Sequence, residues 1–324
     1  MLLTMAVSDV DRHRALLDGR VTVDAPDGVR IDVVALPVQE MFDRLLGGHE
    51  FDISEMPIAS YARMVAAGDP PYLAVPIFPS RYFRHSCVFV HKGAGLRGPA
   101  DLAGRRVGVA VWDMAAAVWL RGIFRDDDGL DPRAPIYVTG GQDAPRAGEA
   151  HPQVYPDGYT VEHLGPNACL SDLLADGGID ALYTARAPRT YFSHPDRVGR
   201  LFADPMAVER DYFARTGNFP IMHTLALRSS VVAQHPALAA AVVDAFERSL
   251  QLALANLHES AALPVSLPWL VHHAEQVDAQ FGRDLWRNGI EANRSGLALL
   301  LGYLADEGLL ARPLTVDELF PLGA

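Results

Sequence analysis

Strand-like and helix-like apolar runs take turns along this 324-residue chain, and that alternation predicts an α/β fold. Runs such as LLTMAVS from Leu2, RIDVVALP from Arg30, FDISEMP from Phe51 and YLAVPIFP from Tyr72 read as strands. SCVFV from Ser86, GRRVGVAV from Gly104 and APIYVTGG from Ala134 continue the series. Between them, QEMFDRLLGG reads as an amphipathic helix closed by Gly47 and Gly48, and SYARMVAAG as a second helix. Gly98-Pro99-Ala100-Asp101-Leu102 reads as the start of a short helix ended by Gly104, and Trp112–Phe124 as a longer helix. LSDLLADGGIDALYTAR reads as helix, turn and buried strand, and PIMHTLALR as a strand with His223 near its start. Pro236–His258 is a long helix, and the rest of the C-terminal third is helical. Gln142–Gly158, rich in Pro, Gly and charge, reads as an excursion or lid.

With 49% hydrophobic residues, a chain of this length can bury a large core or divide into two lobes. The middle block, 94–203, reads as a lobe inserted between 1–93 and 204–324, so the chain crosses between lobes twice. Forty acids against 28 bases leave a net charge of −12, which speaks against a nucleic-acid partner. An anionic small ligand needs only a local basic cluster. The N-terminal MLLTMAVSDVDRHR lacks a basic region and a small-residue cleavage site, so a cytoplasmic protein is expected. No apolar run has the length of a membrane span. Cys87 and Cys169 lie far apart and are expected to be free, buried thiols. No CxxC or HExxH spacing occurs, and the adjacent His272 and His273 diverge on a helix, so no metal or cofactor is expected.

Arg81, Arg84 and His85 crowd the approach to SCVFV, where two guanidiniums beside an imidazole make a carboxylate receptor. In an extended strand Arg81 and His85 share a face and Arg84 points away, as a surface residue would. Ser54 and Glu55 end a strand, where a carboxylate can meet a phenolic hydroxyl; the alternative is a cap or a surface acid. Asp9 follows the first strand, and either faces a ligand or opens the helix DRHRALL. Trp112 and Asp113 stand where a strand turns into a helix, the usual ligand position in an α/β lobe. Thr139, Gly140 and Gly141 end another strand, with glycines that let backbone N–H groups approach an anion. Arg186 follows IDALYTA as a carboxylate contact or a surface arginine. His223 on its apolar strand is either a core histidine or a cleft group able to titrate near neutral pH. Arg294 reads as structural.

GLRGPADLAGRRVGVAV and LLADGGIDALYTA resemble two segments of type II periplasmic binding proteins. A narrower likeness covers nearly the whole chain. DRHRALLDGRV, FDISEMPIASY, PIFPSRYFRHS, AAVWLRG, Thr139-Gly140-Gly141, IDALYTARAP, TGNFPIMH, GIEANR and LTVDELF together resemble the 4,5-dihydroxyphthalate decarboxylase family. VAVWDMAAAVW departs from it, with Asp113 and Ala115 where relatives tend to show an amide and a threonine. The resemblance implies a two-lobed binding-protein-like α/β fold with a ligand cleft between the lobes. It implies a cofactor-independent decarboxylase of a small hydroxylated aromatic carboxylate, with no nucleic-acid or membrane partner, and is compatible with a homo-oligomer. On this reading Arg81 and Arg186 grip carboxylates, Glu55 or an Asp accepts the phenolic proton, and His85 or His223 protonates the ring carbon. His223 is favoured as donor, with His85 orienting a carboxylate. The competing expectation is a solute-binding protein or a cytoplasmic sensor on the same fold.

Overall fold

The computed structural model describes residues 1–148 and 155–323. Its strands in chain order are β1 (Leu2–Val7), β2 (Arg30–Ala35), β3 (Ile53–Pro57), β4 (Tyr72–Arg81), β5 (Val88–His91) and β6 (Arg106–Val109). They continue with β7 (Ile136–Thr139), β8 (Thr160–His163), β9 (Ala181–Tyr183), β10 (Val198–Arg200) and β11 (Ile221–Arg228). Two sheets result, one ordered β2-β1-β3-β11-β4 and the other β10-β5-β9-β6-β7-β8. Each belongs to its own unit. The first unit holds Met1–Arg81, Ile221–Leu297 and the residues from Leu314, and the second holds Tyr82–Pro220 and Ala298–Pro313. The boundaries expected at 93/94 and 203/204 therefore both fall inside the second unit. The reason is pairing: β5 lies antiparallel to β9 and β10, which ties SCVFV to the second sheet.

In the first unit β1 runs parallel to β2 and β3, whereas β11 lies antiparallel between β3 and β4. The period of two along β1 puts Leu3, Met5 and Val7 on one face, where they join Ile53, Val75, Ile77, Leu225 and Leu227. Ala15 and Leu16 from helix Asp11–Leu17, and Val242, Ala245 and Phe246 from helix Leu238–Asn256, cover that face. Helix Val38–Gly48 includes both glycines instead of stopping at them. It ends at His49, whose left-handed backbone turns its N–H onto Leu45 O.

In the second unit β6, β7, β8 and β9 are parallel neighbours. The sheet extends from β6 toward β7 on one side and β9 on the other, which makes the β6–β9 boundary its switch point. Phe89, Val138, Leu170, Leu174, Ile179, Leu182 and Val198 form a core on this sheet. At Gly108 in β6 a Cβ would stand 2.7 Å from Ile179 Cδ1, so the apolar side chains packed there would have to shift to admit one. Residues 298–313 belong with this unit because Tyr303 packs edge-on against Trp119 at 5.6 Å and over Gly122.

Three local expectations change. Residues 82–87 are not a strand: β4 stops at Arg81 and His85–Cys87 is a turn of 3₁₀ helix, so strand alternation does not govern Arg84 and His85. The helix expected from Trp112 starts at Ala115. Strands β8 and β10 were not anticipated, since β8 is largely exposed and β10 has three residues. Of the excursion Gln142–Gly158, residues 149–154 lie outside the described residues, and the described flanks carry no helix or strand. Among the described residues no helix is long and apolar enough to cross a membrane.

Candidate active site

The apolar face of the first sheet turns polar at one end. Glu55 shares the parity of Ile53 on β3, so its carboxylate enters the same side of the sheet, and solvent does not reach it. A buried charge of this kind requires donors, and Ser8 and His223 supply them, with the His13 ring close by. Ser8, just past β1, gives its backbone N–H to Oε1 at 2.7 Å and its hydroxyl to the same oxygen. His13, in the first helix, brings Nδ1 to 3.3 Å from Oε1. His223, at the start of β11, brings Nδ1 to 3.3 Å from Oε2. Burial alone would raise the Glu55 carboxyl. The His223 and Ser8 hydrogen bonds, with the attraction of the two imidazoles, outweigh it and bring the group down to about 2. Glu55 is therefore ionised at neutral pH.

His223 is the member of this set that solvent touches, with 16% of its side chain exposed. The register between β11 and β4 shifts on both sides of it, an irregularity of the kind that re-aims a side chain. Phe42 stands edge-on to its ring at 4.8 Å. An ionised carboxylate only accepts hydrogen bonds, so Nδ1 of His223 carries a proton toward Glu55 and Nε2 is the ring nitrogen left for exchange. A carboxylate-oriented imidazole is a general acid–base device.

The remaining sequence candidates of this unit lie elsewhere. Ser54 occupies the opposite parity from Glu55, is fully buried, and donates its hydroxyl to Glu55 O. Asp9 is exposed and pairs with Arg14 at 3.3 Å, the helix-opening alternative. Glu55 itself, expected to take a phenolic proton, has no exposed surface and is placed as the partner of His223. Arg81 is buried, donates from Nη2 to Arg287 O and to Asn293 Oδ1, and lies over Phe78 at 5.0 Å. Burial, with the repulsion of Arg287, pushes it down to about 9. Arg12, which the sequence reading passed over, stacks on Trp286 at 4.6 Å and donates to Pro79 O.

In the second unit, three strand ends line up at the switch point. Trp112 and Asp113 follow β6, Thr139, Gly140 and Gly141 end β7, and Arg186 follows β9. Gln142 ties them together: it donates to Arg186 O at 3.2 Å and accepts from the Thr184 hydroxyl. Thr139 Oγ1 stands 2.7 Å from His163 Nδ1. The Gly141 turn is so tight that a Cβ there would stand 1.9 Å from Ala144 O. At Gly140 a Cβ would meet Leu164 at 2.9 Å. The Arg186 side chain is 68% exposed and its Nε lies 3.6 Å from Asp143. Trp112 is fully buried and carries the guanidinium of Arg121 on its ring at 4.2 Å. Arg121 forms a two-pronged bond to Glu307, at 2.8 and 2.6 Å, inside the same unit.

Arg84 reaches the end of β9 only from within the core, through Ala185 O, and His85 is not at those strand ends. Arg84 is buried beside Cys87 Sγ, 3.8 Å away, and donates to Ala185 O at 3.4 Å. His85, 3% exposed, sits among Tyr212 at 5.2 Å, Phe202 at 5.8 Å and Phe124 at 6.4 Å. Burial pushes its pKa down to about 4, with Asp127 and Arg215 acting in opposite senses. An imidazole so placed is neutral at pH 7 and a poor acid, whereas the sequence reading has it protonate the ring carbon or orient a carboxylate. Among the described residues no three His, Cys, Asp or Glu side chains are grouped to hold a metal ion.

Over 318 residues the chain is 36% identical to the 4,5-dihydroxyphthalate decarboxylase of Comamonas testosteroni, covering 98% of this chain and 96% of that one. It is 34% identical over 211 residues to the protein of the same name from Pseudomonas putida, covering 65% and 81%. No family model matches the chain. Among solved structures it resembles a putative periplasmic sulfonate-binding protein, SsuA, from Methylobacillus flagellatus KT, with TM-score 0.58, 13% identity and coverage of 98% and 91%. It also resembles the alkanesulfonate-binding protein SsuA of Xanthomonas axonopodis pv. citri bound to MOPS, with TM-score 0.55, 14% identity and coverage of 100% and 98%. At such identity the likeness is one of fold, the α/β binding-protein fold.

Proposed function

The chain belongs to the 4,5-dihydroxyphthalate decarboxylase family, and from that premise we propose that it is a carboxy-lyase releasing CO2 from a 4,5-dihydroxyphthalate-like acid. The observation that carries the reading is identity to a named decarboxylase across 98% of the chain. In this substrate each carboxylate lies para to a ring hydroxyl. The hydroxyl pushes electron density onto the carbon bearing that carboxylate, and an acid protonates the carbon. The bond to the carboxylate then breaks, CO2 leaves, and its electron pair restores the aromatic ring. One proton replaces one CO2 with no net oxidation or reduction, so the step calls for no redox partner.

The part assigned to this chain is proton delivery and positioning. His223 supplies the proton from Nε2, and Glu55, hydrogen-bonded to Nδ1, orients the ring and stabilises its cationic form. The exposed edge of His223 then takes a proton back from water. Taken by itself, the second unit carries a candidate anion site at its strand ends, where Gly141 and Arg186 supply backbone N–H groups and a guanidinium. Trp112, Asp113 and Gly140 shape that end. A cytoplasmic setting suits the two buried free thiols, Cys87 and Cys169.

The test is incubation of the purified protein, with a chelator present, with 4,5-dihydroxyphthalate and a panel of ortho- and para-hydroxylated aromatic acids, following ¹³CO2. Release from the dihydroxyphthalate is expected, with kcat lowered about 10²- to 10⁴-fold in His223→Gln and KM little changed. Release from no acid of the panel overturns the reaction. Full turnover in His223→Gln overturns the assignment of the donor.

A further inference from the structure

We infer that His13 is a positioning residue for the Glu55–His223 pair, holding the carboxylate so that one of its oxygens is reserved for His223. The inference rests on the reading of His223 as the acid–base group. His13 Nδ1 lies 3.0 Å from Ser8 O as well as 3.3 Å from Glu55 Oε1. A carbonyl oxygen accepts only, so the proton of His13 is on Nδ1 and is donated to Ser8 O, with the Glu55 oxygen beside it. The ring is 1% exposed and stands edge-on to Phe246 at 5.4 Å, which fixes its orientation.

The division of donors gives the arrangement its direction. Oε1 receives the Ser8 N–H and hydroxyl, whereas Oε2 receives His223; His13 donates from Nδ1 to Ser8 O and so acts on Oε1 through Ser8, with its ring 3.3 Å from that oxygen. Burial lowers the His13 pKa, against the pull of Glu55 and the Ser8 carbonyl. Arg12 and Asp11, next along the same helix, act on it in opposite senses. Arg12 also faces Glu55 electrostatically, and Phe42 faces His223 with an apolar edge. Removing the His13 donor releases the Ser8 carbonyl and loosens the Ser8 N–H and hydroxyl that fix Oε1, so the carboxylate is free to rotate or to share its oxygens differently with His223.

Three variants separate positioning from packing. His13→Leu removes the donor, and His13→Gln carries its amide out toward the former Nε2. His13→Asn places an amide N–H about where Nδ1–H stands. We expect kcat to fall about 10- to 100-fold in His13→Leu and His13→Gln with KM within about 3-fold, a displaced kcat–pH profile, and recovery to within about 5-fold of wild type in His13→Asn. In the ligand-free protein, the ¹H–¹⁵N signal of the His223 Nδ1 proton should move or broaden in His13→Leu and His13→Gln but persist in His13→Asn. If His13→Leu does not fold, His13→Gln serves alone. An unmoved His223 signal and pH profile in the donor-lacking variants overturn the inference. So does a His13→Asn variant as impaired as His13→Gln, since that marks packing alone. The spectra need no substrate, so a wild-type protein that releases no CO2 refutes the proposed reaction while His13 is still decided by its effect on His223.

Discussion

Replacing His85 by phenylalanine tests the claim that this imidazole is an apolar-core group. The residue is 3% exposed, ringed by Phe124, Phe202 and Tyr212, and its pKa falls from 6.5 to about 4 because burial disfavours the cation. The folded value lies below the unfolded one, so the unfolded chain binds the proton first. The stability tied to His85 is thus complete above pH 6.5 and is lost as pH falls toward about 4. That interval corresponds to about 3 kcal/mol, at about 1.4 kcal/mol for each pH unit. In His85→Phe this loss disappears: the variant should match the wild type within about 1 kcal/mol at pH 7.5 and exceed it by up to about 3 kcal/mol near pH 4. Urea unfolding at pH 7.5, 6, 5 and 4, followed by tryptophan fluorescence and far-UV circular dichroism in parallel, reads the difference and shows whether the two probes coincide. The Hε1 titration of His85 by NMR gives the group directly. A titration midpoint at or above 6, or a His85→Phe enzyme that binds substrate but does not turn it over, would refute the reasoning and return His85 to the chemistry.

Glu55→Gln removes the carboxylate that orients His223. Turnover should fall at least about 100-fold, and the acid-side stability loss between pH 4.5 and about 2, about 3 kcal/mol in the wild type, should vanish from the unfolding curves. Glu307→Ala strands the buried Arg121 guanidinium and should cost about 3–5 kcal/mol in urea unfolding, whereas Arg121→Met with Glu307→Leu should recover most of it. If the single variant is as stable as the wild type, the pair is not the clamp its two-pronged geometry implies. Gly141→Ala drives a methyl into the Ala144 carbonyl. It should weaken substrate binding and lower thermal stability together, measured by KM and Tm.

The α/β class was legible in the sequence because strand and helix runs differ in period and are punctuated by glycine. The Glu55–His223 pair was half legible. Each residue stood out alone, as an acid at a strand end and a histidine on an apolar strand, but their contact spans 168 residues. It depends on β11 lying beside β3, which no local pattern encodes. His13 and Ser8 were invisible for the same reason. DRHRALL reads as a helix opening, and nothing in it announces a carboxylate 42 residues on. His85 misled because its sequence neighbours are arginines, whereas its spatial neighbours, Phe124, Phe202 and Tyr212, come from three distant segments. Strand alternation failed at Arg84 because the chain leaves the sheet after Arg81 and turns before β5.

The place of β11, between β3 and β4, sets an order of events during synthesis. Ile221 emerges from the ribosome about 7 to 30 s after Arg81, at about 5–20 residues per second. For that interval β3 and β4 have been made but the strand that joins them has not, and each presents an open edge of unpaired N–H and C=O groups. The nascent chain is exposed to mispairing longest at this seam, where a holding chaperone would find its grip. Residues 82–220 are synthesised within the same interval, although their own unit still awaits 298–313. Glu55 spends that time without His223, so the acid–base pair comes into being only when the late strand slots in.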